Sequence, residues 1–420
     1  MKKVLVITYY WPPSGGAGVQ RWVKFIKYFK NQNIDPYIIS VDPDFASYPV
    51  IDKSLMNDIP ENTNVYLTKT NEPYSIYKKI NNNQTPYAGF ANEGRPNFLQ
   101  KIARFIRGNF FIPDSRKGWN DFAYKKAVKL LEKENIDTVI TTSPPHSTQL
   151  IGLKLKETLN IKWIADLRDP WTDIYYYKSM LHTKWAKRKD LNYEKGVIEK
   201  SDKIVVVSDS IKQLLINKSN LIQESKIHVI PNGFDEEDFS VSSMNKNNKF
   251  LLSYVGTITK DYPLDSIKKS ITNLNINLEF TGKADHPTKY LLNEIAGFNN
   301  HVKHKESINL LLASDMLLLV IPKIANNKGI LTGKLFEYLG ARKPILCIGP
   351  TDGDAAKIIK ECKAGKTFDY SDENGIYEFI ETCMSNEFIF ENKNYLNYSR
   401  RNLTKTLSKI LNDKVNNEKL

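Results

Sequence analysis

Short apolar runs alternate with amphipathic stretches along most of the chain, the pattern of open, mostly parallel sheets wrapped by helices. The first repeat is a strand over 3–9, a turn-rich loop Pro12-Pro13-Ser14-Gly15-Gly16-Ala17-Gly18, and a helix with Val19, Trp22, Val23, Ile26 and Phe29 on one face. A strand over 37–41 follows. Residues 42–100 are rich in Asn, Pro and Tyr and hold no strong period, so they read as loops and short helices on the sheet edge. Order returns with a helix over 120–133, a strand over 138–142, a helix over 147–158 and a strand over 162–166. A strand over 203–208, a helix over 209–216 and a strand over 226–230 complete one doubly wound domain.

Pro231-Asn232-Gly233-Phe234-Asp235 and the polar stretch behind it read as a junction. A second series then starts with a strand over 250–255 that ends at Gly256. A helix over 263–273 carries Leu264, Ile267, Ile271 and Leu274. Next come a strand over 277–281, helices over 287–296 and 306–313, a strand over 316–321 and a helix over 334–341. A strand over 344–348 and helices over 354–361 and 373–384 follow, and the series ends in a basic helix over 393–411. At 420 residues the chain fits two domains. We place them at 1–233 and 249–392, with a linker over 234–248 and the last helix packing back on the first domain. The expectation is an α/β protein with two Rossmann-like halves facing across a cleft, where sheet C-termini and helix N-termini present free N–H groups to a ligand.

Composition narrows the class. Hydrophobic residues at 41% and charged residues at 25% describe a globular chain, and no apolar run approaches the roughly 18–20 residues of a membrane-spanning helix. Lys2-Lys3 before residues 4–8 resembles the start of a signal peptide, but the apolar run is short and no small-residue cleavage site follows, so a buried first strand is the better reading. Cys347, Cys362 and Cys383 give neither a disulfide framework nor a metal-ligand spacing, which suits a reducing cytosol. The net charge of +13 suits an anionic membrane or a phosphorylated substrate. Genome-level composition explains it equally well, because Lys is spread over the whole chain. No recognition motif accompanies the cations, which argues against nucleic acid.

The segment from Gly329 to Ile345 is the richest in chemistry. Thr332 and Gly333 fall at a helix start, where unpaired N–H groups and the positive helix end face an anion. Lys334 in the first turn opposes the helix dipole unless an anionic ligand compensates. Glu337 lies one turn on, where its carboxylate can accept two hydrogen bonds from vicinal hydroxyls; the alternative is a surface ion pair with Lys334. Gly15-Gly16-Ala17-Gly18 is not the dinucleotide fingerprint, but Gly16 and Gly18 allow close approach of backbone to a ligand. In the first domain, Asp166-Leu167-Arg168-Asp169 and Ser143-Pro144-Pro145-His146 end strands at the same sheet edge, which makes Asp166, Arg168 and His146 candidates for acceptor contact and proton transfer. Two Asp-x-Asp stretches, Asp42-Pro43-Asp44 and Asp352-Gly353-Asp354, have a spacing common by chance, and no metal is expected.

Together these pieces resemble glycosyltransferase family 4, retaining enzymes of the GT-B fold. The resemblance runs through the Pro12-Pro13…Gly18 loop, Pro231–Asp235, Tyr254-Val255-Gly256-Thr257, Ala313-Ser314-Asp315 and Phe336-Glu337-Tyr338…Lys343-Pro344-Ile345. It implies a nucleotide-diphosphate sugar as donor substrate, no cofactor, and Glu337 holding the ribose. The family's earlier glutamate, eight positions before, is replaced here by Gly329, so the resemblance implies the nucleotide half of the site and leaves the sugar half open, with Lys328 or backbone groups in its place. Thr257 stands where the family tends to carry an Arg, so Lys260 and Lys334 are the candidates for the diphosphate.

A last feature is a basic region, Lys178 to Lys203 around Leu181 and Trp185, which with Lys101, Arg104 and Arg107 is a candidate face for anionic lipid. A solvated charged face explains it equally well. The expected function is sugar transfer to a glycan or lipid-linked acceptor in bacterial cell-surface polysaccharide synthesis, in the cytoplasm and peripheral on the inner face of the membrane. Two alternatives stay open: a GT-B nucleotide-sugar epimerase, and a non-catalytic nucleotide-sugar-binding partner protein.

Overall fold

A computed structural model of the chain describes residues 1–72, 98–240, 249–390 and 393–413. The chain divides into two compact units, Met1–Ile230 joined by the stretch from Thr404 onward, and Pro231–Leu403.

The first unit runs β1 (Lys2–Ile7), α1 (Ala17–Phe29), β2 (Ile34–Val41), β3 (Asn64–Thr68), α2 (Phe98–Phe110), α3 (Asn120–Glu134), β4 (Thr138–Ser143), α4 (Ser147–Thr158), β5 (Lys162–Leu167), α5 (Lys184–Lys200), β6 (Lys203–Val206), α6 (Asp209–Ile216) and β7 (Ile227–Val229). The described strands form one parallel sheet in the order β3-β2-β1-β4-β5-β6-β7. Helices cover both faces, so Val4-Leu5-Val6-Ile7 is buried residue after residue. Trp22, Val23, Ile26 and Phe29 turn the apolar face of α1 inward.

The second unit runs β8 (Phe250–Val255), α7 (Asp265–Ile271), β9 (Ile276–Thr281), α8 (His286–Leu292), β10 (Ala296–Asn299), α9 (His304–Ala313), β11 (Met316–Val320), α10 (Gly333–Ala341), β12 (Ile345–Ile348), α11 (Asp354–Glu361), β13 (Gly365–Phe368) and α12 (Glu373–Met384). Its described strands are again parallel, ordered β10-β9-β8-β11-β12-β13. Successive side chains of β11 serve opposite faces. Leu317 and Leu319 pack with Leu335, Phe336 and Leu339 of α10, whereas Leu318 and Val320 pack with Ile376 and Phe379 of α12.

The last helix, α13 (Arg400–Asn412), starts in the second unit and ends in the first. Lys162 Nζ at the start of β5 donates to the Ile410 carbonyl at 2.7 Å, a cation on carbonyls that the helix end leaves unpaired.

Three strands were not expected from the sequence: β3 within the irregular 42–100 stretch, β10 just after the helix expected over 287–296 (observed over His286–Leu292), and β13. All three are edge strands, and β3 and β10 contain no buried residue. Half-exposed edges carry little apolar signal for a pattern to reveal. Within the expected linker, Phe234 is buried and pairs with Tyr398 and Arg400 through backbone hydrogen bonds of 3.1 and 2.7 Å. Residues 241–248 of the linker and 73–97 of the irregular stretch lie outside the described residues. In each unit the strand order reverses beside the first strand, between β1 and β4 and between β8 and β11. Ligands of such sheets bind at the strand C-termini beside that reversal.

Candidate functional site

In the second unit the reversal brings together Gly256, the start of α10 and Glu337. Strand β8 ends at Gly256, whose φ of 134° only glycine adopts freely. A Cβ there would lie 2.4 Å from Lys334 Cε, so the glycine also makes room for the lysine stem. Lys334 Nζ sits 5.2 Å from the centre of the Tyr254 ring, and among the described residues no carboxylate comes within ion-pair distance of it. Burial pulls this ammonium below the ordinary lysine range, with the charge of Glu337 partly offsetting the effect.

Thr332 is the N-cap residue in extended geometry, yet its hydroxyl caps nothing and is buried without a hydrogen-bond partner. No acidic residue occupies the first turn of α10. The helix therefore presents its first N–H groups, from Gly333 onward, and the Thr332 hydroxyl beside an unpaired cation. That is the arrangement of an oxyanion site. Tyr338 holds the helix against the sheet, its hydroxyl donating to the Leu318 carbonyl at 3.2 Å and accepting from Val255 N at 3.4 Å.

Glu337 does not form the surface ion pair with Lys334. Burial pushes its carboxyl above the usual range, and His304 is the foremost group holding it down. His304, at the start of α9, places Nδ1 3.9 Å from Glu337 Oε1 and Nε2 3.3 Å from Asp238. The sequence reading missed both His304 and Asp238; they lie 33 and 99 positions before Glu337, and only folding joins them. Lys260 and Thr257 are exposed at the loop after β8, with Lys260 N bonded to Asp285 at 3.0 Å. Gly329 ends a 3-10 turn, and Lys328 is turned to an exposed ion pair with Asp352.

The first-unit candidates meet at the corresponding end of their own sheet; the polar atoms of Asp166 and Arg168 are engaged, whereas His146 Nδ1 is buried without a hydrogen-bond partner. Asp166 is buried and accepts from Arg21 Nη2 at 3.0 Å, Trp22 Nε1 at 2.8 Å and Thr142 Oγ1 at 2.8 Å. Arg168 donates to the carbonyls of Ser143 (2.9 Å) and Pro144 (3.2 Å). Gly18 faces it: a Cβ there would lie 2.0 Å from Arg168 Nη1. Gly16, with φ of 105°, starts α1. His146 stacks on Trp171 with ring centres 4.7 Å apart. Burial, aided by Arg168 and Lys218, pushes it down to about 3, so the imidazole is neutral at physiological pH. Trp171 Nε1 in turn donates to Asp190 at 2.9 Å, as does the Tyr177 hydroxyl. Burial raises this carboxyl to about 7.

The Asp-x-Asp residues have local roles. Asp42 accepts from Asp44 N at 3.0 Å, and Asp354 pairs with Lys357 at 3.3 Å. Among the described residues no group of three or more His, Cys, Asp or Glu side chains has the placement to hold a metal ion.

Two parallel sheets of seven and six described strands, each wrapped by helices, define the fold class. Residues 87–238 match the Glycosyltransferase Family 4 family, and the whole chain has the GT-B fold. Sucrose-phosphate synthase from Thermosynechococcus elongatus superposes with a TM-score of 0.64 at 12% identity, covering 98% of both chains. HepE from Anabaena, in complex with UDP-glucose, gives 0.60 at 11% identity over 98% of this chain and 99% of its own. A putative UDP-N-acetylglucosamine 2-epimerase from Listeria monocytogenes gives 0.54 at 9% identity over 98% and 96%. No curated protein sequence matches the chain.

Proposed function

We propose that the chain is a retaining hexosyltransferase that moves a sugar from a nucleoside diphosphate to a glycan or lipid-linked acceptor without a metal ion. Its setting on this reading is bacterial cell-surface polysaccharide synthesis, in the cytoplasm at the inner face of the membrane. The observation that carries the reading is Lys334, half-buried against Gly256 and the Tyr254 ring at the N-terminus of α10, with no carboxylate within ion-pair distance among the described residues. Transfer breaks the bond between the anomeric carbon and the diphosphate oxygen, and negative charge builds on the departing group. Lys334 and the N–H groups from Gly333 onward are placed to receive that charge, with the Thr332 hydroxyl as a further donor. Glu337 accepts from the ribose hydroxyls, and the exposed Lys260 approaches the diphosphate from the β8 loop. In the first unit, Arg168 and the neutral His146 are the acceptor-side groups, and Asp166 holds the end of β5 in place through its three donors.

Thermal unfolding with a panel of nucleoside diphosphates and their sugars tests the reading, beginning with uridine donors because HepE binds UDP-glucose. A ligand at a hundredfold excess over its Kd stabilises the native state by about 2.7 kcal/mol. If none of the panel moves the midpoint, the reading fails. The likeness to the Listeria epimerase favours a second reading, in which the sugar is rearranged rather than transferred. Conversion of the nucleotide sugar with no acceptor present would decide for it.

A further inference from the structure

The helix α2 faces the wrong way for a protein surrounded only by water. Arg104 is buried on its inner side, and Gly108 packs so closely that a Cβ would lie 2.3 Å from the Met180 carbonyl oxygen. Of the cations expected on a solvated basic face, Arg104 is thus turned inward and Arg107 is half-buried. The outer side is apolar: Phe98 (76% exposed), Ile102, Phe105, Ile106 and Phe110 (75%). Their spacing of three to four residues puts most of them on one stripe.

The stripe continues onto the next element. Asn109 Nδ2 donates to the Leu181 carbonyl at 3.1 Å, and Thr183 N donates to Asn109 Oδ1 at 2.7 Å, so the loop before α5 is tied to the end of α2. That loop and the first turn of α5 expose Leu181 and Trp185, with Lys189 Nζ 4.7 Å from a Trp185 ring centre. Around this patch Lys101, Lys178, Lys184, Lys187 and Arg188 are exposed. None of the five has a carboxylate within ion-pair distance among the described residues.

We infer that this face docks on an anionic lipid bilayer, the apolar stripe of α2 and Trp185 entering the headgroup boundary and the lysines meeting the lipid charge. Charge complementarity selects the occupant: a second copy of a chain with net charge +13 would set these cations against their own kind. No described helix is long and apolar enough to cross a membrane, so the contact is peripheral. The inference rests on the lipid-linked acceptor of the proposed function and gives it a surface. Vesicle binding and nucleotide binding are measured separately, so either reading can fail alone.

The test is co-sedimentation of the full chain with vesicles of phosphatidylglycerol and phosphatidylcholine in equal parts, and with phosphatidylcholine alone. Wild type should bind the mixed vesicles, more weakly at high salt, and hardly bind the zwitterionic ones. The double variant Phe98→Ser/Phe110→Ser changes only exposed side chains and should keep its unfolding midpoint and its response to nucleotides. It should lose at least about tenfold in vesicle affinity. Lys184→Glu/Lys187→Glu should lose about tenfold on mixed vesicles. Wild type that fails to sediment overturns the inference, as does a Phe98→Ser/Phe110→Ser variant that binds like wild type. Self-association of wild type that this variant abolishes, without vesicle binding, identifies a second copy as the occupant and overturns it too.

Discussion

The two units solve the same sheet reversal in opposite ways. At the end of β5 the first unit engages its charged groups: Asp166 takes three donors and Arg168 is clasped by two carbonyls. Near the end of β8 the second unit leaves polar groups short: among the described residues Lys334 has no carboxylate within ion-pair distance, and the buried Thr332 hydroxyl has no hydrogen-bond partner. A buried polar group without a partner is costly, and on the proposed function the donor's diphosphate offsets that cost. On the proposed function the second unit's corner takes the nucleotide; in the first unit Asp166 and Arg168 fix loop ends, and His146 Nδ1 is the buried polar atom left without a hydrogen-bond partner.

The sharpest way to break this comparison is Asp166→Ala. It breaks the buried pair with Arg21 and removes the acceptor of Trp22 and Thr142, and should destabilise the protein by about 3–5 kcal/mol, seen as a fall in the unfolding midpoint. A variant as stable as wild type would mean that the first-unit cluster is not structural. Lys334→Ala should do the reverse, costing about 1.5–3 kcal/mol of nucleoside diphosphate affinity, the worth of hydrogen bonds to charged groups. Because its ammonium is desolvated and unpaired, its removal should leave stability unchanged or raised. Calorimetric titration beside thermal unfolding separates the two outcomes. Glu337→Ala should lose most of the affinity for nucleotides that carry ribose hydroxyls, and unchanged affinity would return Glu337 to a bystander.

Asp190 offers a pH test. Its folded value of about 7 lies above the ordinary carboxyl value, so the folded state holds the proton more tightly than the unfolded chain. The stability it contributes is complete below about pH 4 and is lost as pH rises through about 7. Asp190→Asn should therefore gain on wild type across that window, and a constant difference between pH 4 and 8 would refute the assignment. The smallest effect is expected of His304→Ala, a loss of about two- to fivefold in nucleotide affinity, in line with a partly exposed charge pair.

Legibility followed burial. The pattern located the central strands β1, β4, β5, β8, β11 and β12, where helices on both faces demand unbroken apolar runs. It missed β3, β10 and β13, edge strands whose mostly half-exposed residues carry little apolar pattern. Residues close in sequence, such as Thr332, Gly333, Lys334 and Glu337, were read together because one helix turn joins them. His304 and Asp238 escaped because contact with Glu337 required three separate elements to converge.

The sequence by itself determined the α/β class, the doubling of the sheet-and-helix series, and the helix start that carries Lys334. Tertiary structure alone decided which charges are spent and which remain. Asp166 and Lys334 look alike in a sequence, each an ionisable residue near a sheet end. Arg21, Trp22 and Thr142 reach the first, and among the described residues no carboxylate comes within ion-pair distance of the second. Partnering depends on which side chains arrive from other elements, and chain spacing does not encode it. The same holds for α2, a helix the sequence pattern did not reveal: its packing against the Met180 carbonyl turned Arg104 inward and its phenylalanines out.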